Sequence, residues 1–362
     1  METTTSNLRF ILSLDGGGIR GILTGQVLIA LERKLNEALE KQRAEFPDAR
    51  PIRLAQCFDL VAGTSTGGIL SCMLLSPSET DPNYPRFTAE EAVQMYLEYG
   101  PQIFKKTTSG RLPGFFSGIL GAKFGSENIE DILKKYLGEI RLSQMIKPCL
   151  ITSYDIQQRK AVFFTSHDAE TKPNSDFKLW QVARSTSAAP TYFPPATAEA
   201  GSQFIYHTID GGLFANNPTM CAVIEAMKVL RDNQYAVLAP DKMFILSIGT
   251  GAIQKSYPYD QARGWGLLRW IMPIIDIMMS GVSETVDYQL MKLFKTLGVP
   301  QQYHRIMPDL GGASPEMDDV SPKNLDALRQ AGIKCADDND EKLDTIAAKL
   351  FDHWVVSQRK SI

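Results

Sequence analysis

The chain has 362 residues, of which 44% are hydrophobic and 22% are charged, and these proportions are ordinary for a globular protein. Its formal net charge of −3 excludes bulk electrostatic attraction to nucleic acid or to an anionic surface, so contact with a membrane would need local apolar or basic patches. The five dispersed cysteines form no CxxC pair, which argues against a disulfide framework or a zinc site and indicates a reducing compartment.

Short apolar runs and helical spacing alternate in the first part of the chain. Residues 9–14 predict a buried strand that ends at Asp15 and three consecutive glycines. Residues 22–39 then place apolar side chains at the intervals of an amphipathic helix. After a loop with two prolines, residues 57–62 predict a second strand, and its glycine-containing turn leads into a short buried helix at 69–75.

The same alternation continues through the middle of the chain. Further strands are predicted at 148–154, 161–165, 204–209 and 243–248. Helices are predicted at 90–99, 126–137, 179–188 and 218–231. This order indicates an α/β fold with a largely parallel sheet, whose reactive groups lie at the carboxyl ends of strands. We expect one domain over 1–362, with its core motifs in 8–251 and a C-terminal helical portion in 264–362.

Several segments bear on membrane contact. Residues 105–124 combine basic residues with phenylalanines and glycines, which is typical either of a loop that enters a bilayer interface or of a mobile lid or an ordinary loop packed on the core. Residues 267–279 are so apolar that we expect core or oligomer packing ahead of membrane contact. Residues 323–350 predict a solvated C-terminal helix, with an acidic loop at 337–340. The short polar start at 1–6 predicts no signal peptide, and no apolar run is long enough to predict a bilayer-spanning helix.

A GxSxG motif, Gly63-Thr64-Ser65-Thr66-Gly67, joins the second strand to the short buried helix. That context predicts a nucleophile elbow, which presents the Ser65 hydroxyl at the tip of a sharp turn. Gly63 and Gly67 relieve steric crowding around such a turn, and the helix N-terminus favours developing negative charge. The alternative interpretation is a chance turn rich in glycine, serine and threonine.

A glycine loop follows the first strand with the sequence Asp15-Gly16-Gly17-Gly18-Ile19-Arg20-Gly21. Consecutive glycines let backbone N–H groups converge on an anion, so Gly16, Gly17 and Gly18 are predicted to form an oxyanion hole. Arg20 is expected either to brace this loop or to contact a lipid phosphate. A nucleotide-binding loop is the rival interpretation, but no GK[ST] follows the glycines and their spacing is not GxGxxG.

Asp210 begins a third motif, Asp210-Gly211-Gly212, after the predicted strand 204–209. A serine nucleophile needs a base to take its proton, and a carboxylate at a neighbouring strand end can do this directly. Taken alone, the motif is more typical of an ordinary turn than of a catalytic aspartate. The histidines compete with Asp210 for the role of base, but each is interpreted as a surface or packing residue: His167, His207, His304 and His353.

In this order the three motifs resemble those of the patatin-like phospholipase family, which has DGGGxRG, GTSTGG and DGG. The resemblance covers residues 8–350 and includes further stretches at 183–193, 216–218, 264–265 and 286–288. It implies a three-layer αβα fold and a dyad of Ser65 and Asp210, without histidine, that hydrolyses lipid acyl esters. It also implies oxyanion donors from the glycine loop, supported by Arg20, and neither a metal nor a cofactor.

The chain is more similar in appearance to bacterial members of this family that act as anti-phage effectors than to plant members, which usually begin with a secretion signal. Such effectors are switched on by a cyclic dinucleotide and then degrade their own cell's membrane phospholipid. The resemblance therefore implies a cytoplasmic enzyme, peripheral at the inner membrane when active. Its expected partners are membrane phospholipid and a cyclic dinucleotide activator, its oligomeric state is open, and no basic–aromatic pattern predicts a nucleic-acid polymer.

Two other functions stay open at this point. An esterase or thioesterase on soluble acyl substrates would use the same catalytic residues, and it would act on small esters but not on bilayers. The other possible function is that of a cyclic-nucleotide or protein-binding module with a vestigial hydrolase site. The intact Ser65, Asp210 and glycine loop argue against it, because loss of catalysis normally shows at those positions.

Overall fold

The computed structural model describes residues 8–106, 121–201, 204–230, 237–251 and 256–360. The strands of this part of the chain are β1 (Arg9–Leu14), β2 (Leu60–Gly63), β3 (Cys149–Asp155), β4 (Lys160–Thr165), β5 (Ala196–Ala200), β6 (Phe204–Asp210), β7 (Met243–Ile248) and β8 (Tyr303–Ile306). Its α-helices are α1 (Gly21–Lys41), α2 (Thr66–Leu74), α3 (Ala89–Ile103), α4 (Glu127–Leu137), α5 (Ser166–Thr171), α6 (Leu179–Thr186), α7 (Gly212–Ala215), α8 (Thr219–Val229), α9 (Tyr259–Ala262), α10 (Leu267–Thr296), α11 (Pro322–Asp338) and α12 (Asp340–Lys360).

One mostly parallel sheet forms the centre of the molecule, and helices cover both of its faces, which confirms the predicted three-layer αβα fold. The strand order is β5-β6-β3-β2-β1-β7-β8, and β4 pairs with β3 beside this path. The central pairings, of β1 with β2 and β7, of β2 with β3 and of β7 with β8, are parallel. The pairings of β3 with β4 and β6, and of β5 with β6, are antiparallel.

Strand β1 is buried on both faces. Successive side chains of a strand point to opposite sides, so Phe10, Leu12 and Leu14 join the larger hydrophobic core while Ile11 joins the smaller one. The larger core lies between the sheet and α1, α2, α3, α11 and α12, and the smaller one lies under α8 and the C-terminal half of α10, where Leu290 is buried. Burial on both sides explains why this strand is a mostly apolar run in the sequence.

The predicted strands and helices are found close to their predicted positions, with small shifts at their ends. Strand β2 begins at Leu60 rather than at residue 57, because Leu54–Cys57 forms a 3₁₀ turn. Helix α2 begins at Thr66 rather than at residue 69, so the helix starts directly after the GxSxG serine. The helix N-terminus is therefore closer to that serine than the apolar pattern alone indicates.

Two strands were not predicted. The sequence of β5, ATAEA, is dominated by alanine, and β8, YHRI, has only four residues, so neither has the composition or length of a clear strand signal. Residues 323–350 belong to two helices, because α11 ends at Asp338 and α12 begins at Asp340. The break falls within the predicted acidic loop at 337–340, although only Asn339 lies outside both helices.

The prediction that residues 267–279 pack into the core is wrong. They form the N-terminal half of α10, in which Pro273 is buried, whereas Leu267 is 81% exposed. The helix lies across the surface, so only one of its sides is covered. Of the predicted loop at 105–124, residues 107–120 lie outside the described part of the chain. No helix that the structure describes has both the length and the hydropathy needed to cross a bilayer.

Asp59 connects the last helix to the start of the sheet. Its Oδ2 accepts a hydrogen bond of 2.7 Å from the Phe10 N–H and lies 3.3 Å from Nε2 of His353 on α12. The His353 ring also packs on Phe10, with ring centroids 4.5 Å apart. Burial by itself raises the pKa of the Asp59 carboxyl, but the interactions with His353 and the Phe10 amide outweigh it, so this pKa lies below its ordinary value.

Replacing Asp59 with Asn should lower the free energy of unfolding by about 1–2 kcal/mol near pH 5, because His353 loses its ionised partner. A depressed native pKa stabilises the fold above the unfolded pKa of an aspartate, about 4, and this stabilisation is lost as the pH falls through the native value. Urea unfolding should therefore show a smaller difference in the free energy of unfolding between the wild type and Asp59→Asn at about pH 3 than at about pH 5. The exposed Asp48→Asn control should stay within about 0.5 kcal/mol of the wild type. If Asp59→Asn lowered the free energy of unfolding by the same amount at both pH values, stabilisation by the ionised Asp59 carboxyl would be contradicted.

Candidate active site

Ser65 lies at the turn between β2 and α2, in the strand–turn–helix context that GxSxG predicts. Its φ of 54° and ψ of −123° fall in a region that residues with a side chain rarely adopt. The turn is also tight, since a Cβ added at Gly63 would lie 2.3 Å from the Gly67 carbonyl oxygen. A Cβ at Gly67 would lie 2.2 Å from the Leu14 carbonyl oxygen, so both positions require glycine.

The Ser65 hydroxyl donates a hydrogen bond of 2.6 Å to Oδ2 of Asp210. The other carboxylate oxygen, Oδ1, accepts from the Gly212 N–H at 2.7 Å. Ser65 is 6% exposed and Asp210 is 3% exposed, so bulk water is largely excluded from the pair. Burial raises the pKa of Asp210 to about 6, although the hydrogen bonds from Ser65 and Gly212 favour its ionised form. At neutral pH the carboxyl is therefore mostly ionised and close to its pKa.

Strand β3 brings Ser65 and Asp210 together across 145 positions of sequence. Gly63, at the end of β2, pairs with Ile151, and Asp210, at the end of β6, pairs with Ser153. The two strand ends thus meet along one short stretch of β3. Because β6 runs antiparallel to β3, Asp210 reaches this point from the opposite direction and not from the end of a parallel strand.

Three threonines hold the elbow in place. Thr64 belongs to the GxSxG motif, whereas Thr152 and Thr186 lie outside the glycine-rich motifs. Thr186 Oγ1 accepts a hydrogen bond of 2.8 Å from the Ser65 N–H. Thr64 Oγ1 donates to the Ala215 carbonyl at 2.6 Å and lies 2.7 Å from Thr152 Oγ1. All three threonines are buried, so these contacts satisfy polar groups that would otherwise be unpaired. The available signal in the sequence for Thr186 was the run of Ser and Thr near the end of the helix predicted at 179–188.

Ser65 and Asp210 open into an apolar pocket with a cavity volume of about 60 Å³. Its apolar lining comes from helices α2, α3, α4 and α10 and from the segment before β5: Ile69, Met95, Tyr96, Ile103, Ile129, Leu133, Ile275, Met279, Tyr192 and Phe193. A pocket with this lining and a polar pair at one end suits a hydrocarbon chain that carries one reactive polar group.

No histidine lines this pocket within the described part of the chain. His353 contacts Asp59, and His304 packs against Phe244 with ring centroids 4.9 Å apart. Burial is the main cause that lowers the pKa of His304 to about 4. The interpretation of His304 and His353 as packing residues is therefore confirmed, and Asp210 is the titratable group that contacts the Ser65 hydroxyl.

The glycine loop differs from its predicted role at Gly16. The Gly16 N–H donates to the Asn216 carbonyl at 3.1 Å, so the prediction that it serves as an oxyanion donor is wrong. Gly16 instead allows close packing, because a Cβ there would lie 3.1 Å from Ser65 Cβ and 2.5 Å from Asn216 Oδ1. The N–H groups of Gly17 and Gly18 have no acceptor among the described residues, and Gly18 lines the pocket.

A buried ion pair anchors the first residue of this loop. Arg305 on β8 donates to both carboxylate oxygens of Asp15, at 2.9 and 2.5 Å, and Ser283 on α10 donates to Asp15 Oδ2 at 3.0 Å. Arg20 Nε donates to the Gly17 carbonyl at 3.2 Å, so Arg20 braces the loop. Its side chain lines a separate polar cavity of about 260 Å³, and burial lowers its pKa to about 10. Arg20 therefore supports the loop from outside the apolar pocket.

Known proteins match the chain over nearly its whole length. A family model described as patatin-like phospholipase matches residues 12–223, which contain all three motifs. Patatin-like protein 2 of Oryza sativa subsp. indica is 34% identical over 355 residues, covering 92% of this chain and 85% of that protein. Patatin-like protein 1 of Arabidopsis thaliana is 35% identical over 343 residues, covering 90% and 80%. Patatin-17 of Solanum cardiophyllum is 34% identical over 335 residues, covering 89% and 82%.

Replacing Asp210 with Asn should increase the free energy of unfolding by up to about 3 kcal/mol above pH 6, because the fold no longer buries an ionised carboxyl. A raised native pKa destabilises the fold as the pH rises from the unfolded value, about 4, to the native value, about 6. The gain should therefore be absent near pH 4 and constant above pH 6. Thermal or urea unfolding across this range measures it, with the exposed Asp260→Asn as the control. If Asp210→Asn were no more stable than the wild type at pH 8, the inference that the fold buries an ionised carboxyl at Asp210 would be wrong.

Proposed function

The chain belongs to the patatin-like phospholipase family, whose members are carboxylic ester hydrolases, and we propose that it cleaves membrane phospholipid with Ser65 as nucleophile and Asp210 as base. The observation that carries this proposal is the 2.6 Å hydrogen bond from Ser65 Oγ to Asp210 Oδ2 at the end of an apolar pocket. A buried carboxylate in this position can take the hydroxyl proton directly, so no histidine is needed.

Acylation starts when Asp210 Oδ2 takes the proton of Ser65 Oγ while that oxygen attacks the carbonyl carbon of the ester. The carbonyl oxygen becomes an oxyanion, and the tetrahedral intermediate then expels the alcohol part of the lipid. Asp210 returns the proton to this leaving oxygen, so the carboxyl is ionised again when the acyl-enzyme forms. The acyl chain stays in the apolar pocket throughout, because its hydrocarbon is favoured there over water.

Deacylation repeats these proton transfers with water. Asp210 takes a proton from a water molecule, whose oxygen attacks the acyl carbon attached to Ser65. The intermediate then breaks at the Ser65 Oγ bond, Asp210 returns the proton to Oγ, and a fatty acid leaves. The pKa of about 6 suits both roles of Asp210, since a group near its pKa accepts and releases protons with comparable ease at neutral pH.

Backbone N–H groups around Ser65 are the candidates for stabilising the oxyanion. Gly17 and Gly18 have free N–H groups in the described structure, and Thr66 is the first residue of α2, where an N–H has no acceptor within the helix. The Ser65 N–H is taken by Thr186, so it does not contribute. The positive end of α2 adds to the stabilisation of negative charge at this position.

Ser65→Ala and Asp210→Asn should each lower the rate of fatty-acid release from phospholipid vesicles by roughly 10³-fold or more, since either change removes the proton transfer that activates the nucleophile. Ser78→Ala and Asp48→Asn, which lie outside the pocket, are matched controls and should keep the wild-type rate. Full activity of Ser65→Ala would refute the proposal.

The pH dependence of kcat/KM should follow the ionisation of Asp210. Only the ionised carboxyl accepts a proton, so kcat/KM should fall about tenfold per pH unit below about pH 6 and be constant above it. Hydrolysis of a water-soluble ester by the wild type between pH 4.5 and pH 8 measures this, with Ser65→Ala as the baseline. An acid limb centred near pH 4 would contradict the raised pKa of the base.

The finer part of the proposal concerns regulation. The resemblance to bacterial anti-phage effectors supports activation by a cyclic dinucleotide, with cytoplasmic enzyme acting peripherally at the inner membrane. Adding a panel of cyclic dinucleotides to the same vesicle assay tests it. Activity that requires one dinucleotide supports this part, whereas full activity without any dinucleotide removes it and leaves the hydrolase intact. Activity on soluble esters but on no vesicle would favour a soluble-ester hydrolase instead.

A further inference from the structure

The outer side of the N-terminal half of α10 is apolar and exposed. Its side chains, which we call the outer face of α10, are between 39% and 81% exposed: Leu267, Ile271, Ile274, Ile277 and Met278. Four of these five follow the spacing i, i+4, i+7 and i+11, which places them on one stripe of the helix. Single exposed apolar residues are ordinary, but a continuous stripe on a surface helix marks an interaction surface.

The inner side of the same helix segment forms part of the active site. Ile275 and Met279 line the apolar pocket. Asp276 and Ser283 line the polar cavity beside the glycine loop, and Asp276 accepts a hydrogen bond of 2.8 Å from the Tyr257 hydroxyl. The acidic side chain of this segment is thus turned away from the outer face. One helix therefore separates the exposed apolar stripe from the pocket by its own thickness.

Aromatic and basic residues flank the outer face. Trp265 packs edge-on against both Trp270 and Tyr257, with ring centroids 5.2 and 5.6 Å apart. Arg263 and Arg269 are exposed next to this aromatic cluster. Tryptophan and tyrosine favour the boundary between hydrocarbon and water, and arginine can cover apolar surface while its guanidinium reaches lipid head groups. This combination is typical of a helix that lies in a bilayer interface.

An apolar groove of about 680 Å³ lies beside this surface and next to the catalytic pocket. On one side it is lined by Leu268 and Met272 of α10. On the other side it is lined by Pro190 and Phe193, which also line the pocket of the Ser65–Asp210 pair. The same two residues thus border both spaces, so the groove at the outer face and the pocket are direct neighbours.

We propose that the outer face of α10 docks on a lipid bilayer and thereby brings the groove and the pocket to the membrane surface. This inference rests on the proposed function, because a pocket for lipid acyl chains has to receive them from a bilayer. The net charge of −3 gives no bulk attraction to an anionic surface, so docking depends on apolar contact and on the two flanking arginines. A second copy of the chain is the competing occupant of this stripe.

The test compares the double variant Leu267→Glu/Ile274→Glu with the double variant Ile205→Glu/Ile224→Glu. The control residues are 46% and 60% exposed, are also apolar, and lie outside the pocket, the groove and the cavity. Each pair adds two carboxylates to the surface, so the pairs differ in position and not in charge. Flotation with vesicles of phosphatidylethanolamine and phosphatidylglycerol measures docking, and release of fatty acid from them measures hydrolysis.

The α10 variant should lose about tenfold or more in vesicle binding and in vesicle hydrolysis, because two charged groups enter the face that contacts hydrocarbon. Its kcat/KM on a water-soluble ester should stay within about twofold of the wild type, because the pocket is unchanged. The control variant should match the wild type in all three measurements. Ser65→Ala should float with vesicles like the wild type although it releases no fatty acid.

Three results would overturn docking at this face. One is vesicle binding by the α10 variant at the wild-type level. The second is an equal loss on vesicles and on the soluble ester, which would mean that the face only supports the pocket. The third is a wild-type dimer, seen by light scattering, that the α10 variant converts to a monomer without a change in vesicle binding. If instead the wild type hydrolyses neither substrate but floats in an α10-dependent way, the proposed function fails while docking stands.

Discussion

The hydrogen bond between Ser65 and Asp210 combines two unfavourable features, a strained backbone at the serine and an ionisable carboxyl in an apolar pocket. Neither feature would persist unless the surrounding structure enforced it. The Ser65 N–H is held by Thr186, and the carboxylate accepts a backbone N–H from Gly212. Pairing of both strand ends along β3 limits how far the two side chains can separate. Much of the sheet's topology can be understood as the support of this single contact.

The glycine loop is constrained by a different neighbour at each of its three glycines. A Cβ at Gly17 would lie 2.2 Å from Thr250 Oγ1, and one at Gly18, where φ is +60°, would lie 2.3 Å from the Met317 carbonyl oxygen. Gly16 is limited in the same way by Asn216, whose carbonyl also takes its N–H. Three consecutive glycines are therefore needed for packing, whatever number of them faces an oxyanion. The ion pair of Asp15 then fixes the position from which the loop starts.

What could be predicted from the sequence was local. The strand–turn–helix order around Ser65 and the aspartate after β6 lie in short motifs, so their backbone context follows from neighbouring residues. The direction of the Gly16 N–H could not be predicted, because it depends on Asn216, two hundred positions away. Arg305 was missed for the same reason: it lies on a four-residue strand and acts through Asp15, at the other end of the chain. The run of Ser and Thr around Thr186 is visible in the sequence, but its contact with the elbow depends on the fold.

Helix α10 shows a limit of a different kind. Its apolar composition predicted core or oligomer packing, but an apolar segment does not reveal which of its sides meets protein. A surface helix normally has polar side chains outside, whereas here Ile275 and Met279 face the pocket while Leu267 and Ile274 face outward. The inner side has to be apolar because it is a wall of the pocket, but nothing in the fold requires this of the outer side. An apolar outer side is unfavourable in water, and the proposed contact with a bilayer would remove that disadvantage beside the apolar groove.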